Sequence, residues 1–296
     1  MCSPEVMRQV RGSLPDSRTG DTAVARDRAP SRRGTSRRGL LGLSGAGAAA
    51  LAALLPARSA AAESRPERGK RVTDLTHILT TDFPLFPGYQ APTFEPTATV
   101  EEDDFLNYRM TMEEHSGTHL DAPAHIVAGG ETVDAISAER LVAPLRVVRI
   151  PDRASETPNA AVTVDDLRAH ERRNGRIPRG AVVAMDSGWS ALVDDPDAYL
   201  GLDGDDNLNF PGFSAEAAEF LVNERGIAGA GVDTVSLDPG ESEDFGAHAA
   251  LLGAGVYGIE NLNNLGQAPD RGATAIVGAP RHQEGSGGPT RVLALR

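Results

Sequence analysis

Short apolar runs alternate with Gly- and Pro-rich turns along residues 66–296. Apolar stretches of roughly four to eight residues bounded by turn signals read as strands. Strands are therefore expected at Val72–Thr76, Tyr108–Glu114, Leu145–Ile150, Val182–Asp186, Ile227–Val232, Gly255–Glu260, Ala273–Val277 and Arg291–Leu295. Two segments carry helix start signals. Thr163 can cap a helix through Arg172, with Asp166 completing a capping box. Ser214 can cap a second helix through Arg225, with Glu216 in its first turn and Gly226 just beyond its end. The stretch Val193–Gly212, rich in Asp, Gly and Asn, reads as a long surface loop of the kind that shapes binding sites. This order predicts one mixed α/β domain. It is not a strict βαβα alternation, and no GxGxxG opens a helix after a strand, so a dinucleotide-binding sheet is not expected.

Composition changes this picture at the N-terminus. The chain has 296 residues, 40% of them hydrophobic, enough for one large domain with a core. Residues 31–62 place Arg pairs before an Ala/Leu/Gly run and then small residues ahead of Glu63. That is the order of an export signal, and Ser36-Arg37-Arg38-Gly39-Leu40-Leu41 resembles the twin-arginine type. Residues 1–62 are thus expected to be a disordered leader and export signal, and residues 66–296 the functional domain, exported or in the cell envelope. The apolar run is short and Gly-rich for a membrane span, so none is expected in the mature form.

The leader holds ten Arg against four acids, while the whole chain carries −13, so the remainder carries −19. Such acidity disfavours nucleic acid, which needs basic patches. The one cysteine, Cys2, lies ahead of the signal, which excludes thiolate chemistry and disulfides from the mature domain.

Candidate chemistry concentrates in HSGTHLDAPAH, where His115, His119, Asp121 and His125 occupy one short stretch of a chain with seven histidines. On a helix, His115 and His119 would be one turn apart, but Gly117, Thr118 and Pro123 make a helix poor here. In a straight strand all four residues share a face. Four strand residues span about 13 Å, too far for two imidazoles on one ion. The chain must therefore bend near Gly117, where no Cβ opposes it. A half-buried strand would explain a single histidine. Three histidines and an aspartate at one parity point to a metal or proton-transfer site.

A second segment must close such a site. His248, in GAHAALLGAG, is expected on a short helix. Glu260 ends the apolar run GVYGIE, where a charge is costly unless paired or metal-bound. Asp233 and Asp238, in GVDTVSLDPG, read as turn or strand-end residues, with Asp233 able to position a neighbour.

The pattern HSGTHLDAPAH, then GVDTVSLDP, then His248 and Glu260 twelve apart, resembles the cyclase-type metal-dependent hydrolases, which include bacterial kynurenine formamidase and isatin hydrolase. The resemblance covers roughly residues 70–296. It implies a swivelling β/β/α fold and a homodimer or larger homo-oligomer. It also implies roles. His115 and His119 would bind a first metal, Asp121 and Glu260 would bridge two metals, His248 would bind the second, and His125 would be general acid/base. Phe86, in FPLFPGY, falls where the formamidases place a substrate-facing Trp in a WPGD motif. Here Phe replaces that Trp, and Tyr89 replaces the Asp.

Three imidazoles and two carboxylates suit Zn²⁺ or Mn²⁺, one or two per chain. The function expected is hydrolysis of a small amide, cyclic amide or lactone by metal-activated water. The alternatives are a metal-dependent cyclase or lyase acting on an activated carbonyl compound, and an exported metal-binding protein without turnover.

Overall fold

The computed structural model describes residues 71–296; the expected leader and export signal lie outside them. Among the described residues, no helix is long and apolar enough to cross a membrane. The frame is a nine-stranded mixed sheet. Its central strands are β5 (Val142–Arg149), β7 (Val182–Asp186), β9 (Gly229–Val232) and β10 (Tyr257–Glu260), which run parallel to their neighbours in that order. On the β5 side follow β11 (Thr274–Gly278), β13 (Arg291–Leu295) and β1 (Val72–Asp74), all antiparallel. On the β10 side follow β4 (His119–Asp121) and β12 (Gly287–Pro289), also antiparallel. The mixed α/β architecture expected from the element order is the one found.

β7 and β9 are buried along their whole length, as parallel strands covered on both faces must be. β5 shows why: Val147 enters the apolar cluster on one face, with Leu120 and Tyr257, and Val148 the cluster on the other, with Leu167 and Phe213. The second face is covered by α3 (Val164–Asn174) and α5 (Ala215–Phe220). Thr163 and Asp166 form the expected capping box at α3, and Ser214 caps α5 through the backbone N–H of Ala217. The helix begun at α5 widens to a π-turn over Leu221–Arg225 and ends at Gly226 in the left-handed region. Short helices occur at α1 (Val100–Asp103), α2 (Pro151–Glu156) and α4 (Pro196–Leu200), and α6 (Gly246–Gly253) carries His248.

Two expectations need correction. Val193–Gly212 is not simply a surface loop. It contains α4, and Tyr199 and Phe210 from it are fully buried, so two aromatic anchors outweigh the acidic composition around them. The strand expected at Tyr108–Glu114 ends at Thr111, because among the described residues β3 (Asn107–Thr111) pairs only with β2 (Thr93–Ala98), in a separate hairpin.

The strand register brings the distant parts of the site together. β4 pairs with β10 so that His119 lies opposite Glu260 and Asp121 opposite Gly258. A Cβ on Gly258 would stand 2.8 Å from Leu237 Cδ1 and 3.1 Å from Asp121 Oδ2, so the missing side chain leaves the room that the Asp121 carboxylate fills.

Candidate metal centre

The bend expected ahead of β4 occurs at Gly117, whose φ is +63°. It folds His115 back over the strand. His119 and Asp121, two apart on β4, share a face. His125 does not continue the strand. Pro123 starts a short 3₁₀ turn over Pro123–His125, and the His125 ring lies 3.8 Å from that of His115. α6 supplies His248, fully buried, and the end of β10 supplies Glu260. The structure therefore gathers all six candidate metal and proton-transfer residues in one place.

The atoms that converge are acceptors. His119 Nδ1 donates to the Gly117 carbonyl at 2.8 Å, which leaves the Nε2 lone pair facing Asp121 Oδ1 at 3.3 Å and Glu260 Oε2 at 3.2 Å. His248 Nδ1 donates to Asp238 Oδ2 at 2.5 Å, which leaves its Nε2 facing Glu260 Oε1 at 3.1 Å and Asp121 Oδ2 at 3.8 Å. Ser286 Oγ donates to Glu114 Oε2 at 2.5 Å and accepts from His115 Nε2 at 3.0 Å. The remaining lone pair of His115, on Nδ1, then points at Asp121 Oδ1, 2.5 Å away. These proton positions follow from the partners. His119 Nε2, His248 Nε2 and Asp121 Oδ2 are buried and have no hydrogen-bond donor.

Buried acceptors facing one another require a cation between them. Protons can serve. Burial alone would lower the His119 imidazole, but the Asp121 and Glu260 carboxylates overturn this and raise it to about 10. Burial likewise opposes a charged His248, and Asp121, Asp238 and Glu260 together raise it well above its ordinary value. Asp121, which burial would push up, is held well below the usual carboxylate range by His119 and His115. A divalent ion fits the same atoms. Two ligands of a tetrahedral zinc at about 2.0–2.1 Å stand about 3.3 Å apart, and the contacts of His119 with Asp121 and Glu260 and of His248 with Glu260, at 3.1–3.3 Å, are close to that edge. Such an ion would displace the protons these imidazoles otherwise hold. Two overlapping ligand sets are present, His119–Asp121–Glu260 and His115–Asp121–His125.

Several residues at the centre escaped the sequence reading. Asp238 is not only a turn residue. Besides His248 Nδ1 it accepts the backbone N–H groups of Ala247 and His248, so one carboxylate caps α6 and orients its imidazole. The LDP turn ten residues before His248 was the available signal. Asp233, read as a turn or strand-end residue, accepts from Ser187 and Trp189, and burial pushes its carboxyl up to about 6. Asn261 donates to the Gly117 carbonyl that holds His119, and is itself held by the Tyr199 hydroxyl. Nothing in the spacing announced Glu114, Ser286 or Asn261. Phe86 lies on the wall of the chamber with Tyr89 and Leu85. That chamber measures about 10 Å³, close to the space of one water-sized sphere.

A family model described as "Putative cyclase" matches residues 73–239, more than half of the chain. The chain belongs to this family. The isatin hydrolase of Roseibium aggregatum is 32% identical over 194 residues, covering 63% of this chain and 73% of that one. The kynurenine formamidase of Salinibacter ruber is 27% identical over 200 residues, covering 67% and 85%. Among solved structures, isatin hydrolase A from Labrenzia aggregata bound to benzyl benzoate superposes with a TM-score of 0.72 at 35% identity, covering 76% of this chain and 93% of that one. A potential metal-dependent hydrolase with cyclase activity gives a TM-score of 0.59 at 25% identity, covering 76% and 98%. The resemblance read from HSGTHLDAPAH and the downstream motifs is thus borne out, and the family's metal dependence agrees with the acceptor cluster.

Proposed function

We propose that this chain is a metal-dependent hydrolase that opens the C–N bond of a small amide or cyclic amide, or the acyl C–O bond of a lactone. The hydrolase activity of its relatives on isatin-type and formamide substrates supports the reading. The observation that carries it is that His119 Nε2, His248 Nε2 and Asp121 Oδ2 are buried without a hydrogen-bond donor, with both imidazole nitrogens facing the Glu260 carboxylate. His115, His119, Asp121, His248 and Glu260 would hold one or two divalent ions, Zn²⁺ or Mn²⁺, which suit nitrogen and oxygen donors without sulfur. When bound, the ion supplies a Lewis acid that polarises a carbonyl and lowers the pKa of water.

The chain's own residues supply the rest. Asp238 and the Gly117 carbonyl fix the tautomers of His248 and His119, so both present lone pairs inward. His125 would carry the proton. Burial and the adjacent His115 lower its pKa to about 3, against the opposing Asp121 and Glu260 carboxylates, so the ring is neutral at neutral pH but a weak base. A role as general base needs that value raised toward the working pH; in that role it would take a proton from water and return it to the leaving nitrogen or oxygen. Phe86 and the segment around it close the chamber and exclude water from the reacting carbonyl.

We place the mature domain outside the cytoplasm on the Arg37-Arg38 pair and the apolar run behind it. We read it as a homodimer or larger because the β2–β3 hairpin carries exposed Phe105, Leu106 and Met110. The test of the activity is turnover of a panel of isatins, formanilides and lactones by the metal-reconstituted full chain. Opening of at least one class is expected. A metal-loaded protein that opens none but cyclises or eliminates an activated carbonyl compound would replace this reading with the lyase one.

A further inference from the structure

Beside the metal chamber lies a second cavity, of about 610 Å³, that no part of the proposed reaction uses. The contrast in size raises the question of where the substrate goes. The chamber, at about 10 Å³, admits little more than a reacting atom, so the body of any amide must lie outside it. The larger cavity falls in the range that holds drug-sized ligands, and it adjoins the chamber at Phe86, which lines both. The two apolar clusters that form its walls also meet at Phe86. One contains Phe245 and the other Phe210 and Leu208.

Phe245 ties this cavity to the metal ligands. Its ring stands edge-on to that of His248, with centroids 6.2 Å apart. Its backbone is held at φ 51°, ψ 46°, a left-handed conformation that a bulky side chain rarely adopts. Retained backbone strain of this kind clusters at ligand sites. The rim is acidic, with Asp206 and Glu243 on the lining and no Lys or Arg among the lining residues.

We propose that this cavity receives the non-reacting end of the substrate, an extended aromatic or apolar group that is neutral or cationic. Phe86, Leu208, Phe210 and Phe245 give it an apolar body to bury, and Asp206 and Glu243 repel a terminal carboxylate. The inference rests on the hydrolase reading of the adjacent centre and adds a substrate class to it. Amides with an aryl-alkyl extension would be better substrates than the same amides without one.

The test compares four anilides on the metal-loaded full chain: unsubstituted, and extended by a phenylbutyl group ending in methyl, ammonium or carboxylate. A tenfold or greater gain in kcat/KM for the methyl- and ammonium-ended compounds over the unsubstituted one is expected, with the carboxylate-ended compound at least tenfold below them. In the Asp206→Asn/Glu243→Gln double variant, that last gap should narrow several-fold. Calorimetry with the methyl-ended compound lacking its scissile carbonyl is run in parallel on metal-free protein, so that a failure of turnover and a failure of binding are read apart. Binding lost in Leu208→Asp with an unchanged melting temperature supports the proposal even if no anilide is hydrolysed. Equal kcat/KM for short and extended compounds, or equal binding by Leu208→Asp and the unaltered chain, would overturn it.

Discussion

Asp238 offers a sharp test of how the centre is held. Its Oδ2 takes His248 Nδ1–H at 2.5 Å and the His248 backbone N–H at 3.1 Å, while Oδ1 takes the Ala247 N–H at 2.6 Å. Asp238→Asn keeps one oxygen, enough for a backbone N–H, and turns an amide NH₂ toward the imidazole. His248 must then carry its proton on Nε2, the nitrogen that faces Glu260 Oε1 at 3.1 Å. Metal binding through Nε2 would require that proton to return to Nδ1, against the amide NH₂, where no carboxylate raises the basicity of the ring. Losing a carboxylate behind a metal-bound histidine costs about 10–100-fold in metal affinity, or about 1.4–2.7 kcal/mol. The metal-free protein should suffer less, since a His248 Nε2–H donating to Glu260 satisfies both groups. The signature is a reduced metal-induced rise in melting temperature with a small change in the metal-free melt. Competition with a chromophoric chelator, paired with thermal melts with and without metal, measures both. Affinity within twofold of the unaltered chain would refute the reasoning.

Three other outcomes are expected. Gly258→Ala should displace Asp121, because the added Cβ would lie 3.1 Å from its Oδ2 and 2.8 Å from Leu237 Cδ1; metal affinity and turnover should fall more than urea stability does, and the reverse order would contradict the close-approach argument. Phe86→Ala should weaken substrate binding, read as KM, while leaving metal stoichiometry intact, because Phe86 lines the chamber without offering a ligand atom; equal metal loss would make it structural. His77 is a pH-dependent stability element. Burial lowers its pKa to about 4, with Asp194 opposing, so its neutral form is favoured in the fold; its contribution is complete above about pH 6.5 and is lost as pH falls through the folded value. His77→Phe, which keeps a ring against Phe83, should flatten the loss of urea stability between pH 6.5 and 4, and an unchanged slope would remove His77 from the acid response.

The parts of the site that were legible in sequence are those that local chemistry dictates. His115, His119, Asp121 and His125 stand in one stretch, and Gly117 marks the bend they need. The capping box of α3 and the N-cap of α5 were legible for the same reason, since a cap is a contact over three residues. Register was not. That His119 faces Glu260 depends on how β4 meets β10, strands that lie more than a hundred residues apart, and no periodicity encodes that. Glu114, Ser286 and Asn261 reach the centre through contacts spanning 144 to 172 residues, which spacing cannot show. Tyr199 and Phe210 were hidden by composition, being two apolar anchors in an acidic, Gly-rich stretch whose average describes its exposed residues. Asp238 shows the opposite failing. Its turn role was visible, and its second role, behind His248, needed the helix to be placed.

Elemental analysis of the dialysed full chain, alongside Glu260→Gln and His119→Ala, bears most directly on the claim that these buried acceptors are built around a divalent cation. At least one divalent ion per chain is expected to survive dialysis in the unaltered protein and to be lost, together with turnover, in both variants. Full metal stoichiometry retained in both variants would contradict the assignment.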